Sequence, residues 1–270
     1  MNFRIHKLNF GQRTLQMRII FLGTGTSQGV PIIGCDCDVC ISTESKDKRL
    51  RCSIYIETEE AKVVIDTGPD FRQQMLANNI TDVDAVVYTH AHKDHTAGLD
   101  DIRPINFLHK KDMEIWASPS VEEALRREYI YIFDTKHDYP GIPRVNLHSI
   151  TGSPFAINGL EFIPINVLHY KLPVYGFRIG DFTYITDANM IPEEERSKIE
   201  GSKVLVLNAL RKEQHISHFS LDEAIEVIQS FAPEQAYLVH LSHQMGKHEE
   251  VSSQLPDNIA LAFDGLNISM

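Results

Sequence analysis

Cysteine, tryptophan and long apolar runs are all scarce in this 270-residue chain, which has four Cys and one Trp. Four cysteines are too few for a disulfide-stapled scaffold. Three of them, Cys35, Cys37 and Cys40, crowd into one short segment, a spacing that suits metal capture better than cross-linking. No stretch is long and apolar enough to span a bilayer, so no membrane partner is expected. The opening residues MNFRIHKLNFGQRTLQ lack the apolar core of a signal peptide, which points to a cytoplasmic location. Cations are also in short supply, with 26 Lys+Arg against 37 Asp+Glu and a net charge of −11. Without a broad basic face, nucleic acid is not the expected partner, although a small phosphate ester held by metals remains compatible.

Apolar residues, by contrast, make up 43% of the chain, enough for a folded core, and there are 13 His. The length suits one large domain. Met17 directly precedes the first convincing strand, so residues 17–270 read as a single domain. Residues 1–16 read as an N-terminal extension, disordered or the product of a misassigned start, with no function of their own. Association into a homodimer is compatible with the chain.

Apolar runs predict strands at MRIIFLGTG, SIYIET, KVVIDTG, DAVVYTH and MEIWAS, and in the second half at LEFIPINVLH, YGFRI, FTYITD, KVLVLNAL and QAYLVHLSH. Helices are predicted at SVEEALRREYI, with Ser120 as cap and Glu123 as its box partner, at IPEEERSKIE, and at SLDEAIEVIQSF, with the pair Ser220 and Glu223. Asp264-Gly265 reads as a hairpin turn.

The segment THAHKDH, Thr89 to His95, follows an apolar strand. His90 and His92 stand two apart and can turn toward one ion, while Asp94 and His95 can face a neighbour; imidazole with carboxylate suits zinc, and also manganese or iron. A His-rich surface loop is the bland alternative, and the added Asp94 and His95 argue against it. His169, Asp187 and His240 each end a predicted strand in the second half, individually weak signals that gain weight from their shared placement.

From Met17 onward the sequence resembles the metallo-β-lactamase superfamily, on Asp66 in VVIDTG, THAHKDH, His169, Asp187 and His240. The resemblance implies an α+β fold, a four-layer αββα sandwich of two packed mixed sheets flanked by helices. It implies two catalytic divalent metals, Zn or Mn. His90, His92 and His169 would hold one and Asp94, His95 and His240 the other, with Asp187 bridging and Asp66 supporting the His loop. Two ions about 3.5–4 Å apart share and ionise a water, so a bridging hydroxide would attack a carbonyl or phosphoryl centre. His218, before the last long helix, is the candidate for the general acid or for a phosphate contact, at a place similar to the histidine of RNase Z-like phosphodiesterases. His215 is an alternative for that role, and a helix-flanking surface histidine is the bland reading.

GCDCDVC offers three thiolates for one tetrahedral ion and leaves its fourth position open. A reactive thiol cluster and buried small residues are the alternatives. Together with LGTGTSQGVPIIG, HYKLPVYGF and HLSHQ, this segment resembles the PhnP-like branch, cyclic phosphodiesterases of phosphonate metabolism, where three cysteines and a distant histidine bind a structural zinc. The matching set is Cys35, Cys37, Cys40 and His243. Cys52 reads as a buried apolar residue. GTGTSQG is not a dinucleotide loop: its third glycine comes one residue late, and Pro31 and the cysteines follow where a helix should begin.

A small, including cyclic, phosphodiester is the expected substrate, with Arg103 and Lys171 as candidate phosphate contacts or else solvated surface charges. A thioester or lactone hydrolase is the alternative, and so is an RNase Z-like nuclease, although only a short hairpin fits between His169 and Asp187 where such enzymes carry a tRNA arm. A non-catalytic metal-binding protein is disfavoured by the complete ligand set.

Overall fold

Strand RIIFLG is apolar on both faces because both are covered: Ile19 and Phe21 pack among residues of a second sheet, while Ile20 and Leu22 pack against helices. This pattern recurs across the chain. The structure, a computed structural model, describes residues 16–134 and 140–270, so the extension assigned to residues 1–16 lies outside the described residues except for Gln16.

Two 7-stranded sheets form. In chain order the first contains β1 (Arg18–Gly23), β2 (Ser53–Glu57), β3 (Lys62–Ile65), β4 (Ala85–Val87), β5 (Met113–Ala117) and β6 (Val145–Ser149). The second contains β7 (Phe155–Ile157), β8 (Leu160–His169), β9 (Leu172–Ile179), β10 (Phe182–Tyr184), β11 (Val204–Asn208), β12 (Gln235–Val239) and β13 (Ile259–Leu261). The last strand, β14 (Asn267–Ser269), returns to pair with β1. Each sheet starts as an antiparallel meander and continues parallel, from β3 to β6 in one and from β10 to β13 in the other. Parallel neighbours end on the same side, so residues just past β3, β4, β10 and β12 are delivered to one edge.

The inner faces of both sheets share one core, with Ile54, Val63, Ile65 and Val87 meeting Phe162, Phe177, Tyr184, Val206 and Val239. Helices Phe71–Ala77, Arg103–His109 and Pro119–Glu128 cover the first sheet, and Leu221–Phe231 and His248–Ser252 cover the second. The result is the four-layer αββα sandwich expected from the resemblance. Cys52 is fully enclosed in the shared core, as its surroundings in sequence suggested.

Two local readings need correction. The cap of helix Pro119–Glu128 is Ser118, whose side chain accepts from Val121 N–H, not Ser120. Pro119 takes the first helical position, where a missing N–H costs nothing, and this moves the start upstream. Asp264-Gly265 does not close a hairpin, because β13 and β14 belong to different sheets. Instead the Asp264 carboxylate accepts from Thr24 N–H, the Thr24 hydroxyl and Leu50 N–H, which ties the crossing segment to the loop after β1. Ser220 and Glu223 do form the full capping box.

Beside that crossing, the buried Arg49 guanidinium donates to Thr24 Oγ1, to the Ala262 carbonyl and to His248 Nδ1. Burial, and then the neighbouring Arg49, push the His248 imidazole down to about 4. An unfolded histidine titrates near about 6.5, so the folded chain is the less protonated state. Its contribution to stability is complete above that value and drains away as pH falls toward about 4. His248→Gln keeps an acceptor for Arg49 without a titrating ring. It is expected to flatten the fall of Tm on acidification; a slope equal to wild type would contradict this.

Candidate active site

Asp66, Asp187 and His240 stand just past β3, β10 and β12, and all three adopt left-handed backbone, with φ of 65°, 52° and 57°. Non-glycine residues seldom take that conformation, and such strain collects at functional sites. The left-handed residue follows β3 and β12 directly, at Asp66 and His240, and stands three residues past β10 at Asp187.

Asp66 organises the THAHKDH segment. Its Oδ1 accepts from Thr89 N–H at 2.9 Å, and its Oδ2 accepts from the Thr89 hydroxyl at 2.8 Å and from His95 Nδ1 at 2.7 Å. With Nδ1 thus protonated, His95 turns Nε2 toward Asp94 Oδ2 at 3.1 Å and Asp187 Oδ2 at 2.6 Å. On the other side His90 Nε2 lies 3.0 Å from His92 Nδ1 and 3.6 Å from Asp187 Oδ2. The His169 ring lies 5.2 Å from that of His92 and 5.8 Å from that of His90, held by a bond from its Nδ1 to the Ser217 carbonyl at 2.8 Å. His240 Nε2 is 2.9 Å from Asp187 Oδ1.

Asp94, His95, Asp187 and His240 present ligand atoms all within 4.8 Å of one another. This is the set expected for one metal; His90 also reaches Asp187 Oδ2, and the His92 and His169 rings lie next to it. The donors fit divalent ions. His95 Nε2 and Asp187 Oδ2 crowd together at 2.6 Å without an aligned hydrogen bond, and His240 Nδ1 is buried without a hydrogen-bond partner among the described residues, a costly condition unless something else engages them. Burial opposes charge here, yet His240 and His95 hold Asp187 well below the ordinary carboxylate range. Against the same burial, Asp187 raises His240 to about 10. His90 is pushed well below its usual value by burial and by His95. The cluster is therefore built around a fixed buried anion that attracts cations.

His218 is also brought in. Its Nε2 lies 3.0 Å from Asp187 Oδ1, its ring stacks 4.9 Å from His240, and its Nδ1 is 3.2 Å from His215 Nδ1. Burial pushes the His218 imidazole down to about 4, with the hydrogen bond to Asp187 acting in the opposite direction. Arg103 is not brought to the histidines by any observed contact: its guanidinium pairs with Asp100 at 2.9 Å and donates to the Gly141 carbonyl. The Lys171 ammonium sits 5.2 Å from the ring of Tyr170, the residue that follows His169, and no observed contact brings it to the histidines. Between His169 and Asp187 the chain holds only β9 and β10, with no inserted arm.

Sequence reasoning missed the supporting residues. Asn208, at the end of β11, accepts from Ala188 N–H and donates to the Ala188 carbonyl, clamping the loop that carries Asp187. Thr26 Oγ1 reaches His240 Nε2 at 3.3 Å. An asparagine closing a buried strand was the available signal. Close backbone packing matters too. A Cβ on Gly68 would stand 2.1 Å from the Asp94 carbonyl oxygen, so Gly68→Ala must displace the ligand loop. A cost of about 1–3 kcal/mol is expected, read as a lower Tm together with lower metal content. Wild-type values of both would contradict the packing argument.

The second cluster lies beside the first. His243 Nδ1 is 3.4 Å from Cys35 Sγ, 3.2 Å from Cys37 Sγ and 3.7 Å from Cys40 Sγ. Tetrahedral ligands on zinc stand about 3.5 Å apart, so the spacing fits a metal, and all four cysteines of the chain are free of disulfides. A bond from the Cys40 backbone and the nearby His243 lower the Cys37 thiol to about 6, favouring the thiolate a metal needs. Cys35→Ser is expected to lose about one metal equivalent per chain and several degrees of Tm; retention of the full complement would contradict a metal role for this cluster.

No helix among the described residues is long and apolar enough to cross a membrane. The family profile described as beta-lactamase superfamily domain matches residues 61–241. The octanoyltransferase of Porphyromonas gingivalis is 39% identical over 253 residues, covering 93% of this chain; the chain spans about half (51%) of that protein's length. The crystal structure of a new diphosphatase from the PhnP family superposes with TM-score 0.89 at 37% identity, covering 95% of this chain and 98% of the other. Zinc-bound PqqB from Methylobacterium extorquens, at 17% identity and TM-score 0.76 over 94% of this chain and 100% of the other, shares the fold. With a metal-ready cluster at the sheet edge and these relatives, the chain belongs to the metallo-β-lactamase superfamily of metal-dependent hydrolases, within its PhnP family.

Proposed function

We propose that this protein is a dinuclear metal-dependent phosphodiesterase that cleaves small phosphate esters, cyclic ones included. The observation that carries this reading is Asp187, a buried carboxylate with His240 and His218 at one oxygen and His95 and His90 at the other, and with Asp94 in the same cluster. When bound, a pair of divalent ions (Zn or Mn) would supply an ionised water near neutrality and offset phosphoryl charge. Asp66 and the Ser217 carbonyl fix the rings of His95 and His169, so the donors are oriented before substrate arrives. His218 is placed to give a proton to the leaving alkoxide, with His215 and Ser217 holding its Nδ1 side. Lys171 is the candidate contact for a phosphate oxygen. The cysteine cluster would take a structural zinc, whose ligand His243 anchors the segment that follows His240.

The diphosphatase relative supports phosphoryl chemistry, and the octanoyltransferase relative gives a second reading, hydrolysis of an acyl thioester. The metal-loaded protein, assayed on bis(p-nitrophenyl) phosphate, a 2′,3′-cyclic nucleotide, a dinucleoside diphosphate and an octanoyl thioester, separates the two. Turnover of a phosphodiester well above that of the thioester supports the first reading. A reversed order would replace it with the second.

A further inference from the structure

Four residues with exposed, large apolar side chains neighbour one histidine of the site through the backbone. Tyr170, Leu172, Met190 and Ile216 are between 38% and 67% exposed. They come from three separate segments, yet each is tied to His169 or its strand. Tyr170 follows His169 directly, and Leu172 is the cross-strand partner of His169. Met190 bridges Leu168, the residue before His169, by accepting its N–H. Ile216 adjoins Ser217, whose carbonyl holds the His169 ring. Scattered exposed apolar residues need no explanation, but a group of them at the rim of a catalytic cluster does.

The rim is fixed. Tyr170 N–H donates to Asn189 Oδ1 at 2.6 Å, and the Tyr170 backbone sits in the left-handed turn of the β8–β9 tip. Lys171 holds its ammonium near the Tyr170 ring, so the surface combines apolar area with one cation. Four side chains are too few for a stable interface between copies, which needs about 800 Å² from each partner. They do suit one small apolar group tethered to an anion.

We infer that the substrate carries an apolar ester group that rests on Tyr170, Leu172, Met190 and Ile216 while its phosphoryl group lies at the metal ligands. This inference rests on the phosphodiesterase reading and names its specificity. Tyr170, Leu172, Met190 and Ile216 act on which ester binds, not on the bond that breaks.

The test compares methyl, phenyl and octyl p-nitrophenyl phosphates, which release the same p-nitrophenolate, with rates corrected for uncatalysed hydrolysis. The metal-loaded wild type is expected to favour the phenyl or octyl ester over the methyl ester by about tenfold in kcat/KM, expressed through KM. The phenyl and octyl arms distinguish a flat ring from an alkyl chain. The double variant Tyr170→Ser with Met190→Ser, checked for unaltered Tm, is expected to bring that ratio near unity, and Ile216→Ser to lower it independently. Calorimetric binding of phenyl phosphate against methyl phosphate should show the same contrast without turnover. Hydrolysis with no preference, or a preference that survives the substitutions, overturns the inference. A binding preference lost in the variant, with no ester hydrolysed, leaves the apolar seat standing and removes the phosphodiesterase reading. A drop from dimer to monomer by light scattering, with the preference intact, assigns the patch to contact between copies and also overturns it.

Discussion

Asp187→Ala is expected to reduce phosphodiester turnover by about a thousandfold or more and to lower the bound metal below the wild-type content. No other side chain in the site is shared so widely. One of its oxygens lies 2.9 Å from His240 Nε2 and 3.0 Å from His218 Nε2, and the other lies 2.6 Å from His95 Nε2 and 3.6 Å from His90 Nε2. Alanine would leave these imidazoles facing one another around a hole, with only Asp94 at its edge to draw cations between them. Asp187→Asn is the sharper variant, because it keeps the shape, removes the charge and separates ligation from packing. Elemental analysis of the purified variants, with circular dichroism to confirm the fold, reads the effect. A variant with full metal content and turnover within tenfold of wild type would contradict the role given to Asp187.

The second large effect is expected at His218. Its replacement by alanine should lower kcat by about 10²–10⁴-fold while leaving metal content intact, since its proposed work is proton delivery. The leaving group provides a check that a packing role would not move. A p-nitrophenolate departs without a proton, whereas an alkoxide needs one. The loss in His218→Ala should therefore be small for p-nitrophenyl esters and large for alkyl esters, steepening the dependence of log kcat on leaving-group pKa. Equal losses across the series would mean that His218 only supports its neighbours His169 and His240, whose rings lie 4.6 Å and 4.9 Å away.

Much of the site was legible because its ligands are delivered by strands whose apolar runs can be read directly. DAVVYTH announces a buried strand and then a histidine, and AYLVH does the same. The structure places both ends at the edge of the parallel part of each sheet. The spacing of the three cysteines suggested metal capture, but it did not point to His243, which the fold brings to their sulfurs from more than two hundred positions away and which only the family resemblance named. Local chemistry misled where it could not see the rest of the chain. Asp264-Gly265 has the residues of a hairpin turn, yet the strands on either side of it join different sheets, and the Asp264 carboxylate binds Thr24 and Leu50 instead. Ser118 and Ser120 are equally good caps in isolation, and Pro119 decided between them. Thr26 and Thr89 carry no signature because their work is to hold other residues. The apolar rim is invisible in sequence for a related reason: Tyr170, Met190 and Ile216 look like ordinary core residues until the fold leaves them exposed beside His169.

The most direct test of the two-metal account is turnover of bis(p-nitrophenyl) phosphate measured while metal content is raised stepwise in chelator-stripped, folded protein. The account predicts that the first ion of about three per chain, taken by the cysteine cluster, raises Tm without activity. Turnover should then appear only as the last two enter, and a chelator should abolish it. A folded chain carrying all of these ions that hydrolyses the diester no faster than the free metal in buffer would contradict it.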